Sequence, residues 1–181
     1  MEIIKLLALL FGCAILFSSC ATRPSQNLSY QEKPFRAHLI FESTGASSGA
    51  ILTSIPSIDA DGTPKKALCL EFTSPENLCG IKVEKRDGET KVSLDGLVIS
   101  SPYAERLLSV SELFDIDATV KESSVETIDG QSLNFIKAVS DDGKEFSIHL
   151  YPASGLPRRI SGIVNGSTCT VDVISFEIIS D

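Results

Sequence analysis

From Phe35 onward the apolar residues of this chain recur at every second position. Phe35, Ala37, Leu39 and Phe41 alternate with Arg36, His38 and Glu42. A period of two belongs to strands with one face buried and one wet. It returns in Leu68-Leu70-Phe72, Ile81-Val83, Val92-Leu94, Leu133-Phe135, Phe146-Ile148-Leu150 and Val171-Val173, the last running into Phe176-Ile178. Between these runs stand Asp87-Gly88, Asp129-Gly130, Asp142-Gly143 and Asn165-Gly166. Such pairs tolerate the positive φ of type I′ turns, so neighbouring strands fold back as antiparallel hairpins. The spacing predicts roughly nine to eleven strands, about 8–12 residues apart, in a mainly β fold: a large antiparallel meander, as an open sheet or open barrel.

One stretch breaks the period. In 101–114 the pair Ser101-Pro102 fits a helix N-cap and first helical position, and Tyr103, Leu107, Val110 and Phe114 fall on one helical face. One or two short helices are expected there, packed over the concave side of the sheet.

The length of 181 residues suits one domain, since domains commonly run to about 100–200 residues. With 16 Lys+Arg against 24 Asp+Glu the net charge is −8, so the clustered cations that a nucleic-acid backbone requires are missing. No nucleic-acid partner is expected.

Upstream of the strands, Lys5 precedes an apolar run from Leu6 to Phe17 and then Ser18-Ser19-Cys20. A charged start, a dozen or so apolar residues and small residues at the break describe an export signal; a spanning helix needs about 20 apolar residues. Leu16-Phe17-Ser18-Ser19-Cys20 resembles the lipobox of bacterial lipoproteins, with Phe17 where Leu is commoner. The resemblance implies a diacylglyceryl thioether on Cys20 and cleavage before it, and two or more acyl chains anchor a protein stably to a membrane. The expected division is a signal peptide over 1–19, a flexible tether over 20–34 bracketed by Pro24 and Pro34, and an antiparallel β domain over 35–181. The address is the bacterial cell envelope. It is the outer membrane if the organism is Gram-negative, since Ala21 rather than Asp follows Cys20, and otherwise the outer face of the cytoplasmic membrane.

Motifs of catalysis and metal binding gain no support from their surroundings. Gly45-Ala46-Ser47-Ser48-Gly49 matches GxSxG, but a strand-like run, Ala50 to Ile55, follows where a nucleophile elbow needs a helix. A hairpin loop is the better reading. Asp59-Ala60-Asp61-Gly62 opens like a calcium loop but lacks the Glu at the EF-hand offset, leaving a solvated loop tip. His38 and His149 fall on the polar side of their strands, as solvated or edge residues. Cys69, Cys79 and Cys169 read as small buried hydrophobes or as one pair plus a free thiol. No enzyme activity, metal or cofactor is expected.

The run from Leu68 to Val83, with Phe72-Thr73-Ser74-Pro75 inside it, is followed by Val92-Ser93-Leu94-Asp95-Gly96-Leu97, and late in the chain stands Gly155-Leu156-Pro157. This order of strand, F-x-x-P, strand, x-x-G-L and G-L-P resembles the LolA/LolB carrier and receptor superfamily. The resemblance implies an unclosed barrel, capped by helices, around a cavity for acyl chains. The candidate lining residues are Leu39, Phe41, Leu70, Phe72, Val83, Leu94, Tyr103, Leu107, Ile148 and Leu150. The partners expected are thus the membrane, through the lipid anchor, and a lipid or acyl chain in the concavity. The alternative is a structural or protein-interaction lipoprotein with a solid core and no ligand, using strand edges or a long loop over 54–64.

Overall fold

A computed structural model describes residues 28–43, 45–58, 62–100 and 104–180. The signal segment, Cys20, most of the expected tether, the Asp59–Asp61 motif and Tyr103 lie outside the described residues.

Eleven strands follow one another in the chain: β1 (Phe35–Ser43), β2 (Ala46–Ile58), β3 (Pro64–Ser74), β4 (Lys82–Arg86), β5 (Glu89–Leu94), β6 (Leu97–Ser100), β7 (Ala118–Ile128), β8 (Gln131–Ser140), β9 (Glu145–Leu150), β10 (Pro157–Val164) and β11 (Ser167–Ile178). They form one antiparallel sheet in the order β6-β5-β4-β3-β2-β1-β11-β10-β9-β8-β7. The first six strands meander away from β1 and the last five return to it, so β1 and β11 meet at the centre while β6 and β7 are left as unjoined edges. The barrel is open, as the alternation and turn pairs predict.

Between the two edges the chain makes a single α turn, α1 (Glu105–Leu108), that passes directly into a 3-10 helix (Ser109–Phe114). α1 packs on β4 and the 3-10 helix on β10. Those strands are five spacings apart in the sheet, about 24 Å if it were flat. A ten-residue cap touches both only because the sheet curls around it. Its buried apolar residues are Leu108, Val110, Leu113 and Phe114, with Ala104 buried just before it; Ser109 and Ser111 are buried as well, and Leu107 is exposed. The expected face through Leu107 is therefore corrected: Val110 and Phe114 are buried as that face requires, but the α turn that packs on β4 buries Ala104 and Leu108, four residues apart, and turns Leu107 outward.

The cap, Phe35, Leu39, Leu52, Leu70, Val83, Ile136, Ile148, Ile160 and Val171 share one core on the concave side. Strand registers carry this face from β4 to β8. A register shift opposite His38/Leu39 leaves Ile174 exposed, which changes the phase of β11 from Val171 and Val173 to Phe176.

Four turns carry Asp or Asn at positive φ before Gly: Asp87-Gly88, Asp95-Gly96, Asp129-Gly130 and Asn165-Gly166. The pair Asp142-Gly143 differs. Only Gly143 has positive φ, its N–H donates to the Ser140 carbonyl (2.9 Å), and Lys144 closes a three-residue loop. The GxSxG segment is the β1–β2 hairpin, with Ser43 paired to Ala46 and Gly45 at φ +80°.

Three further readings are corrected. The end of the expected tether is packed on the sheet: Ser29–Glu32 forms a 3-10 turn and Tyr30, 2% exposed, lies edge-on to Phe176 at 5.6 Å. His149 is buried. On the outer face of the sheet it pairs through Nε2 with Glu126 at 2.9 Å and leans on the Phe135 ring at 5.0 Å, while β8 sends Ile136 and Ala138 rather than Leu133 and Phe135 into the main core. Finally, the long loop expected over 54–64 is mostly strand, since β2 continues through Ile58.

Candidate ligand groove

β2 and β3 are longer than their neighbours. β2 pairs with β1 only as far as Ser54, and β3 pairs with β4 only from Leu68 onward, so residues 55–58 and 64–67 pair with each other alone. The hairpin projects past the rest of the sheet. Its composition tolerates the free sides: Pro56 has no N–H to leave unpaired, and Lys65 and Lys66 discourage another chain from adding to the edge.

On the concave side of this projection lies a groove of about 980 Å³. Pro56, Ile58 and Leu68 supply apolar floor, with the stems of Lys65, Lys66 and Lys85 beside them; Gln31, Glu32, Asp115 and the Asp87-Gly88 turn complete the walls. Long lysine stems bury methylenes while keeping the ammonium wet. Ile58, near the tip of the projection, is 77% exposed.

Two ion pairs hold the cap at the back of the groove. Lys66 on β3 pairs with Asp115 just beyond the 3-10 helix, and Lys85 on β4 pairs with Glu105 at 3.1 Å. The N-terminal 3-10 turn forms the adjoining wall. There Tyr30 is buried, with its hydroxyl beside the side-chain amide of Gln31. Burial drives the Tyr30 phenol well above its ordinary pKa; a hydrogen bond with the Gln31 side chain opposes the rise and the Asp115 carboxylate adds to it.

The residues expected to line a cavity lie elsewhere. Leu39, Leu70, Phe72, Val83, Ile148 and Leu150 pack within the core, and Phe41 meets Phe72 edge-on at 6.2 Å. Leu94 and Leu107 are exposed. None of these nine borders the groove, whereas Leu68, one alternation step from Leu70, does. Alternation assigns a face, and it does not say where along that face the cap stops. The relative lengths of β2, β3 and β4 are the signal that locates the groove.

Among the described residues no group of three or more His, Cys, Asp or Glu side chains is placed to hold a metal ion. Cys69, Cys79 and Cys169 are all free thiols.

No family model matches the chain, and no curated protein matches it. Solved structures do. An uncharacterized conserved protein from Thermus thermophilus aligns with 86% of this chain and 85% of its own at 14% identity and a TM-score of 0.53. MucB aligns with 86% of this chain at 14% identity and a TM-score of 0.51, and this chain spans 56% of MucB. A LolA superfamily protein from Nitrosomonas europaea aligns with 86% of this chain and 91% of its own at 9% identity and a TM-score of 0.42. At these identities the first two likenesses are ones of fold alone, and the third score is too low to bear on the fold.

Proposed function

We propose that this chain is a non-enzymatic lipoprotein of the bacterial envelope, anchored through lipid on Cys20, and that its open barrel binds an acyl chain or similar apolar ligand in the groove under the β2–β3 projection. The observation that carries the binding reading is the groove itself: a volume near the top of the usual ligand-pocket range of about 300–1,000 Å³, with an aliphatic floor, beside the buried apolar core. The lipobox resemblance and the LolA/LolB-like order of motifs support the anchor, the envelope address and the class of ligand.

Native mass spectrometry of protein purified from envelope extracts tests the binding. Retained lipid is expected, and Leu68→Lys should abolish it without unfolding the protein. A wild-type chain that neither retains nor accepts a lipid overturns the reading. The anchor is tested separately: Cys20→Ala should remove labelled palmitate and release the protein from membranes, and native protein that takes up no palmitate overturns that part.

A second reading is supported by β6. Its Leu97, Val98 and Ile99 are 65, 59 and 52% exposed on an edge without charge or bulge, whereas β7 carries Lys121, Glu122 and a register shift. Such an edge suits strand addition by a protein partner. A crosslinked partner lost on Val98→Lys, with no lipid bound, is its expected signature.

A further inference from the structure

One apolar row of the concave face runs to the edge of the sheet and stops there uncovered. Ala37, Leu52, Leu70, Val83, Val92 and Ile99 stand opposite one another on consecutive strands from β1 to β6. The first four are fully buried, Val92 is half-buried and Ile99 is 52% exposed. The backbone of β6 is equally open. Asp95 and Gly96, both at positive φ, form a two-residue hairpin turn, which makes Leu94 and Leu97 its closing hydrogen-bonded pair. Bonded and non-bonded pairs then alternate along the strand. Leu97 and Ile99 therefore turn their backbone groups toward β5, while Val98 and Ser100 turn theirs to the side where β6 has no neighbour. Charge, proline or a bulge usually blunts such an edge. β7 has Lys121, Glu122 and a shift of register, and β6 has none of these devices.

The edge is complementary to itself. Antiparallel addition about a two-fold axis through Ile99 sets Val98 of one copy opposite Ser100 of the other, and each such pair exchanges both of its N–H···O bonds. Ile99 meets its twin at the non-hydrogen-bonded position, where side chains approach closest, and the apolar row continues into Val92 and Val83 of the second copy. On the outer face Lys91 stands beside Ser100 and Ser93 beside Val98, so the residues that meet across the joint are serine and valine. The nearest cations are balanced within their own copy, Lys91 by Glu89 at 3.1 Å and Lys82 by Glu84 at 3.0 Å. No like charges are brought together. Joining β6 of one copy to β7 of another would instead set this apolar edge against Lys121 and Glu122, and it would build an open chain rather than a closed pair.

We propose that two copies of this chain join through β6 into one continuous antiparallel sheet, with Ile99 on the two-fold axis. This rests on β6 being open to strand addition and is independent of what the groove holds. The joint is short and belongs to the weak class of interfaces that bury less than about 1,200 Å². A covalent trap detects such a contact.

The test oxidises the full chain gently in permeabilised cells of its own organism, in a Cys79→Ser background that removes the exposed thiol. Opposed residues of a non-hydrogen-bonded pair lie about 4.5 Å apart at Cα, within reach of a disulfide. Ile99→Cys should therefore give a disulfide-linked homodimer about tenfold faster than Leu97→Cys. Leu97 shares the face of Ile99 and is more exposed, at 65%, but at this register it stands about 13 Å from its own twin, too far to bridge. Adding Val98→Pro to Ile99→Cys should abolish the crosslink and leave the thermal midpoint unchanged, because the N–H that proline deletes points away from β5. Equal rates for Ile99→Cys and Leu97→Cys, or a crosslink that survives Val98→Pro, overturn the two-fold pairing. Ile99→Cys linked to a different protein, with no homodimer, overturns the second copy and leaves strand addition at β6 standing. No crosslink of either kind overturns the dimer and the open edge together.

Discussion

Leu113 rests directly on Gly162. A β carbon at that glycine would stand 2.8 Å from Leu113 Cδ2 and 2.9 Å from Phe146 Cδ1, so the absence of a side chain on β10 lets the 3-10 helix sit down on the sheet. That seat fills one end of the concavity, and the space left at the other end is the groove. Gly162→Ala should cost about 1–3 kcal/mol by overpacking. Leu113→Ala, at a fully buried position, should cost about 2–5 kcal/mol. The double variant should lose less than the sum, because the smaller residue makes room for the added methyl. Urea denaturation of the four proteins measures this; strict additivity would show that the contact is not energetically coupled.

Across β10 and β11, Arg159 grips Asp172 with two parallel bonds, Nε to Oδ1 at 2.7 Å and an Nη to Oδ2 at 3.1 Å, while Arg158 donates to the same Oδ1 at 3.0 Å. The fork suits guanidinium and no ammonium can copy it. On this half-exposed outer face Asp172→Asn should cost about 1 kcal/mol, and Arg159→Lys nearly as much. Both losses should shrink in 1 M salt. A double-mutant cycle read by thermal unfolding checks the coupling.

Tyr30 gives the fold an alkaline limit. Its phenol is held above the ordinary value of 10.0, chiefly by burial. Below pH 10 the folded and unfolded chains both keep the proton and stability does not depend on this group. As pH rises past 10 the unfolded chain releases the proton and the folded one retains it, so stability falls. Tyr30→Phe should flatten that part of the profile. Denaturation midpoints at pH 8, 10 and 11 test it, and an unchanged slope in the variant would remove Tyr30 as the cause.

The three thiols of the folded domain should separate by rate. Cys79 is exposed, whereas burial raises the pKa of Cys69 and Cys169 and lowers their thiolate fraction. With an aromatic disulfide reagent at pH 8, one fast phase should disappear in Cys79→Ser and the slower phases should accelerate only in denaturant. A fast phase that survives the substitution would place another thiol at the surface.

Much of the architecture is legible in the chain, because its causes lie within a few residues. Alternation from Phe35 needs only neighbours two apart, and Asp87-Gly88, Asp129-Gly130 and Asn165-Gly166 set their turns through their own φ angles. Where reading by neighbours fails, a distant residue intervenes. His149 has a polar position in its strand, yet Glu126 and Phe135 from two other strands bury it. Tyr30 sits in a polar stretch, yet Phe35 and Phe176 enclose it. Leu107 fits a helical face with Val110 and Phe114, yet the α turn that packs on β4 buries Leu108 and leaves Leu107 outside.

The sequence by itself determined that this protein is an antiparallel meander with one helical interruption, because strand, turn and break are each written in contiguous residues. Only the tertiary structure decided which apolar residues fill the concavity and where it stays open. The groove exists because β2 and β3 outrun β1 and β4 while Gly162 draws the cap toward β10, and strand overhang and cap seating depend on registers among residues far apart in the chain. Alternation is blind to both, since it assigns a side chain to a face and says nothing of what stands opposite.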